Sequence, residues 1–157
     1  MSQFYEKSYL AQLQERLPAG LTDCVTFSGA FPYSRLVDRY REAGVFVFPS
    51  VCQEAFGMPI IEAMACQVPV VATRSGGITE VVEDGSTGLL VERGDATALA
   101  QALMLLLAND ELRRRMGTAA RQRVRERFSW ERIAADLYCE YERMLGNTAS
   151  QYPSGLN

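Results

Sequence analysis

The chain has 157 residues, 48% of them hydrophobic and 22% charged, as expected of one globular domain or a large piece of one. Its net charge of -3 excludes bulk attraction to nucleic acid or anionic lipid, and the absence of histidine removes the commonest general base and metal ligand. No apolar run reaches the roughly 18 residues of a membrane helix, and the opening MSQFYEKSYL has no signal-peptide core. Residues 6–17 carry Tyr9, Leu10, Leu13 and Leu17 at helical spacing, and Pro18 and Gly20 end that helix. CVTFSG predicts a short strand over 24–27, ended by Gly29. A second helix is predicted over 33–42, with Leu36, Val37 and Tyr40 inward, before the apolar strand VFVFPS at 45–50.

The next helix starts near Pro59, because proline at a first helical position loses no needed N–H. VPVVAT (68–73) is a third apolar strand. A short helical turn at 79–82, the turn EDGSTG and a strand at 89–91 follow. Asp95 and Asp110 are expected N-caps for helices over 96–108 and 111–127, and Ser129 for a last helix. In that helix Trp130, Ile133, Leu137, Tyr141 and Met144 form one stripe. The aromatics Trp130, Tyr138 and Tyr141 read as packing residues. Cys24, Cys52, Cys66 and Cys139 have no C-x-x-C spacing and apolar neighbours. They read as reduced core residues of a cytoplasmic protein.

Short apolar strands alternating with helices predict an α/β fold, a parallel sheet with helices on both faces. Such sheets bind ligands beyond the carboxyl ends of their strands. That directs attention to EAFGMPIIEAMACQVPVVATRSGG, residues 54–77. The loop before Pro59 offers N–H groups of Phe56, Gly57 and Met58 at a helix start, where the dipole favours an anion such as phosphate. Glycine at position 57 permits close backbone approach. Glu62, about one turn into the helix, leans back toward the same mouth and suits a vicinal diol. Glu54 reaches it from the loop. Each carboxylate alone also reads as a helix-dipole partner or a solvated loop charge. The segment RRRMGTAARQRVRER carries seven arginines and reads as a solvated helix face, with Leu112, Met116, Ala120 and Val124 inward.

The run E-A-F-G-M-P-I-I-E-A-M-A-C-Q-V-P-V-V-A-T-x-x-G-G-x-x-E resembles the donor site of retaining glycosyltransferases with the GT-B fold, in particular family 4 with its E-x7-E motif. VTFSGAF, LVDRYREAGVFVFPS, EVVEDGSTGLLVERGDATALAQALMLLL and RFSW extend the resemblance over residues 8–145. It implies a truncated, Rossmann-like GT-B C-terminal domain at 1–145 and a flexible tail at 146–157. It also implies that Glu54 contacts donor-sugar hydroxyls and is the candidate catalytic residue. Phe56, Gly57 and Met58 would lie near the sugar and diphosphate, Glu62 on the ribose, and Gly29, Ala30 and Phe31 at the base. The implied substrate is a nucleotide diphosphate sugar, such as a UDP-sugar, transferred with retention, without metal or cofactor. The basic residues that neutralise the diphosphate, the acceptor site and any peripheral membrane contact are expected in segments absent here. With the strand order 3-2-1-4-5-6, the sheet would then have a gap between 24–27 and 45–48, and the isolated chain would be poorly stable. Gln67 departs from the family's usual glycine at a helix end. The alternatives are a GT-B nucleotide-sugar epimerase, which would also want histidines, and a non-catalytic binding or interaction remnant.

Overall fold

A computed structural model describes residues 9–145 and divides the chain after Pro32. In the first unit, helix α1 spans Tyr9–Arg16 and a 3-10 helix spans Ala19–Cys24. Residues 6–8 of the expected first helix lie outside the described residues. The strand expected at 24–27 does not form. Val25 keeps extended backbone (φ -119°, ψ 122°), yet this unit holds no other strand among its described residues to supply a ladder. Strand propensity without a hydrogen-bonding partner leaves an extended, exposed segment.

The second unit begins with α2 (Tyr33–Glu42), at the predicted boundaries. Tyr40 is buried and Leu36 half-buried, whereas Val37 is exposed, contrary to the inward face expected of it. Three parallel strands follow: β1 (Phe46–Phe48), β2 (Val70–Thr73) and β3 (Gly88–Val91), in the order β1-β2-β3. Val47 pairs with Val71, and Val71 with Leu89. Every residue of β2 is buried. Val70 and Ala72 enter one cluster with Ile60, Met64, Ile78 and Val81, while Val71 enters another with Leu106 and Met116. Alternate side chains of a strand point to opposite faces, so a continuous apolar run means helices on both sides. The predicted α/β layering is what forms.

The linking helices are α3 (Met58–Ala65), α4 (Ile78–Val81), α5 (Ala96–Leu107), α6 (Asp110–Arg127) and α7 (Trp130–Met144). Asp95 and Ser129 cap α5 and α7 by accepting from the N–H groups of Ala98 and Arg132. The cap of α6 is Asn109, which accepts from Leu112 N–H, and not Asp110, which lies inside the first turn. Both residue types cap well, and only the backbone decides between neighbours.

Arg113, Arg123 and Arg114 of the arginine-rich helix have specific partners. Arg113 donates to the carbonyls of Leu106 (2.8 Å) and Leu107 (2.7 Å), satisfying the last turn of α5. Arg123 donates to the carbonyls of Val81 (2.8 Å) and Glu80 (2.7 Å) at the end of α4 and pairs with Glu83. Arg114 pairs with Glu111 across one turn at the surface. The inward stripe is as expected, with Met116, Ala120 and Val124 buried and Leu112 half-buried.

Helix α3 ends in a Schellman arrangement. The N–H of Gln67 donates to the Met64 carbonyl (2.9 Å) and that of Val68 to the Ala63 carbonyl (3.1 Å). Gln67 itself takes the left-handed conformation (φ 67°) that its replacement of glycine made doubtful. Its amide is braced against α6, donating to Thr118 Oγ1 at 2.9 Å.

Two expectations about side chains fail. Cys24, Cys52 and Cys139 are exposed and Cys66 is half-buried, none of them in a disulfide, so none is a fully buried core residue. Val25, Val51 and Tyr138 beside the three exposed cysteines are themselves exposed, so apolar neighbours in sequence did not mark a core. Trp130, Tyr138 and Tyr141 are exposed, with Trp130 at 81%, so the apolar stripe of α7 does not pack into this unit's core. The tail from 146 lies outside the described residues. Among the described residues, no helix is long and apolar enough to cross a membrane.

Candidate functional site

Parallel strands β1 and β2 run in register, which brings the loops after Phe48 and Thr73 to the same sheet edge. The sequence there is polar and glycine-rich, and its polar groups stitch the two loops together. Thr73 Oγ1 donates to the Ser50 carbonyl (2.6 Å), the Ser75 hydroxyl to the Cys52 carbonyl, and Gly77 N–H to the Glu54 carbonyl (2.9 Å). Thr73 and Ser75 are buried, so these bonds replace water that burial removed. A Cβ on Gly76 would overlap the Glu54 carbonyl oxygen, and one on Gly77 the Ala55 carbonyl oxygen. The Gly-Gly pair lets one backbone lie directly on the other.

This contact fixes the loop carrying Glu54. Its carboxylate accepts from Ser50 Oγ through Oε1 at 2.7 Å. Two residues on, Phe56 sets its ring edge-to-face against Phe128 at the end of α6, with centroids 5.7 Å apart. The Arg123 guanidinium lies 5.9 Å from the centre of the same Phe128 ring.

Gly57 then forms the N-cap of α3 with φ 83°, and a Cβ there would stand 3.1 Å from Ile60 Cδ1. Its left-handed backbone turns the chain into the helix without a side-chain cap, and Pro59 occupies the first turn. The N–H groups of Phe56, Gly57 and Met58 find no hydrogen-bond acceptor among the described residues. Together with the positive end of α3 they can receive an anion.

Glu62 is the fifth residue of α3, beyond the first turn, which contains no acidic residue. Helix-dipole stabilisation fades beyond the first turn, so it gives a weaker account of this carboxylate than expected. The Tyr40 hydroxyl instead donates to Glu62 Oε2 at 2.9 Å. A groove of about 210 Å³ between α2 and α3 is lined by Tyr33, Leu36, Val37 and Glu62, among others. Burial, and then the hydrogen bond and charge of Glu62, raise the Tyr40 hydroxyl above the ordinary phenol value.

The sign of that shift gives a pH prediction. The folded state keeps the Tyr40 proton where the unfolded phenol, with its pKa of about 10, has lost it. Its contribution to stability is complete below about pH 10 and is lost as pH rises further. Followed by tyrosinate absorbance, one of the seven tyrosines should ionise only as the chain unfolds, and Tyr40→Phe should remove that phase. Early titration of every tyrosine would contradict it.

The structure thus gathers Glu54, Phe56, Gly57, Met58 and Glu62 on one loop and the helix it starts. Gly29, Ala30 and Phe31 belong to the other unit, where Gly29 takes φ 66° and Phe31 is half-buried. Tyr40, Ser50 and Phe128 are supporting residues that motif reading did not single out. All three lie in quoted stretches, Tyr40 and Ser50 in LVDRYREAGVFVFPS and Phe128 in RFSW, but the stretches did not show which side chains they support.

The family model for glycosyl transferases group 1 matches residues 6–123. The chain is 39% identical over 152 residues to a D-inositol 3-phosphate glycosyltransferase of Corynebacterium jeikeium, covering 96% of this chain and 35% of that protein. It therefore spans about a third of that relative's length. Among solved structures, sucrose-phosphate synthase from Thermosynechococcus elongatus superposes with a TM-score of 0.76 at 39% identity, covering 88% of this chain and 34% of that one. Anabaena HepE in complex with UDP-glucose gives 0.74 at 26% identity, covering 92% and 38%. The C-terminal domain of a group 1 family protein, LpcC of Francisella tularensis, gives 0.67 at 27% identity, covering 77% and 60%. With its parallel Rossmann-like sheet and its match across most of the sequence, the chain belongs to the glycosyl transferases group 1 family and corresponds to the C-terminal domain of a GT-B glycosyltransferase.

Proposed function

We propose that this domain binds the nucleotide diphosphate sugar donor of a retaining glycosyltransferase. One observation carries the reading. Three N–H groups without acceptors at a glycine-capped helix start lie, in sequence, between two carboxylates, Glu54 held by Ser50 of its own loop and Glu62 by Tyr40 of α2. Amides and a helix N-terminus suit a diphosphate. Carboxylates suit hydroxyls, Glu54 those of the sugar and Glu62 those of the ribose. That HepE was solved with UDP-glucose supports a uridine donor.

In the reaction so read, the bond from the anomeric carbon to the β-phosphate oxygen breaks. A bond to an acceptor oxygen forms on the same face, and the acceptor's proton passes to the departing diphosphate. This chain's share is to hold the sugar through Glu54, the candidate catalytic residue, and to stabilise the leaving diphosphate through the amides of Phe56, Gly57 and Met58. The acceptor and the compensating cations belong to the rest of the enzyme. The reading assigns no metal to the donor and places the reaction in the cytoplasm.

The test is calorimetric titration of UDP-glucose and other nucleotide sugars into the chain and into Glu62→Ala and Glu54→Ala. Losing a hydrogen bond to a charged group should weaken binding by about 10-fold or more. Equal binding by all three proteins, or none, would refute the assignment.

A further inference from the structure

We propose that Tyr40 is a positioning residue that fixes the Glu62 carboxylate for recognition of a vicinal diol, an inference that rests on the donor-site reading above. A glutamate one turn into a helix has several rotamers, and each loss of freedom on binding weakens affinity. Here the choice is made in advance. Tyr40 comes from α2, twenty-two positions earlier in the chain, and its hydroxyl donates to Glu62 Oε2 at 2.9 Å.

The phenol cannot follow a moving carboxylate. Tyr40 is buried, and its ring meets Phe46 edge-to-face at 5.5 Å, so β1 holds it in place. The other carboxylate oxygen, Oε1, has no hydrogen-bond partner among the described residues. Glu62 stays half-buried and borders the groove between α2 and α3. An ionised carboxylate has about four lone-pair sites, so one phenol donor leaves room for the two donors of a cis-diol. A neutral hydroxyl donor also leaves Glu62 its negative charge. An arginine in its place would have neutralised the carboxylate and occupied both oxygens.

The experiment uses the whole chain, with UDP and 2′,3′-dideoxy-UDP as probes and Tyr40→Phe, Glu62→Ala and the double substitution as variants. The wild type should prefer UDP. Tyr40→Phe keeps the ring and should weaken UDP binding about 3- to 10-fold, the value of one hydrogen bond, while barely changing dideoxy-UDP binding. Added to Glu62→Ala it should do nothing further, because the residue it acts through is gone. A structural role alone would weaken both probes equally.

If Glu62→Ala abolishes the preference for UDP and Tyr40→Phe leaves it intact, the positioning role is overturned and the donor reading stands. If the wild type shows no preference, or Glu62→Ala retains it, the ribose assignment itself fails and Tyr40's role with it. Thermal melts of each variant exclude unfolding as the cause.

Discussion

Gly77→Ala is expected to lower stability by about 3 kcal/mol, the upper range for forcing a methyl into a packed site, and to lower the melting temperature by about 10 °C. The methyl would collide with the Ala55 backbone carbonyl, which cannot rotate away as a side-chain tip could. The two loops can separate only by breaking the Gly77 N–H bond to Glu54 and straining those of Thr73 and Ser75. Separation also moves Glu54 and Phe56, so on the proposed donor-site reading affinity for UDP-glucose should fall in the same variant. Gly76→Ala should be worse still, since its φ of 49° adds left-handed strain to a clash with the Glu54 carbonyl. Circular dichroism melts check both, and unchanged melting would show that the loops part freely.

Gly117→Ala is the second large expected loss, about 2–3 kcal/mol by the same overpacking argument. This glycine lies in the middle of α6, where it would otherwise cost helix stability. Its hydrogen faces the Gln67 carbonyl so closely that a methyl would push α6 off the end of α3. That end is fixed by the Schellman bonds, and both helices share the core cluster of Met64, Ala120 and Val124. Gln67→Gly should be close to neutral. It relieves about 1–2 kcal/mol of left-handed strain but removes the hydrogen bond to Thr118, worth about 1 kcal/mol. Urea midpoints for the two variants should differ widely. Equal midpoints would mean that the helix contact is not governed by backbone approach.

The pair also shows what could be read ahead. A 3.6-residue period placed α2 at its observed limits, and continuous apolar runs identified β1, β2 and β3 because strands buried on both faces cannot alternate. Pro59 and the paired glycines marked the site because their backbone demands are local. Gln67 broke the glycine rule at a helix end, yet the left-handed turn formed, since a side-chain bond from 51 residues away helps to hold it.

What escaped was tertiary. Nothing near Tyr40 in sequence shows that its hydroxyl meets Glu62, and nothing in VTF shows that a strand-forming segment will find no partner. The cysteines were judged by their neighbours in sequence, but those of Cys24, Cys52 and Cys139 are exposed as well, in a loop and in helices that bury no residue. The choice between Asn109 and Asp110 turned on one residue of backbone, finer than composition resolves.

The position of Trp130 has a practical consequence. It is the only tryptophan of the chain and is 81% exposed at the start of α7. Its emission should already resemble that of indole in water while the chain is folded, so denaturation will change its colour little. Fluorescence is therefore a poor gauge of unfolding here. It is a sensitive gauge of the opposite event, because a blue shift on adding another component requires that component to dry the indole by covering the apolar face of α7.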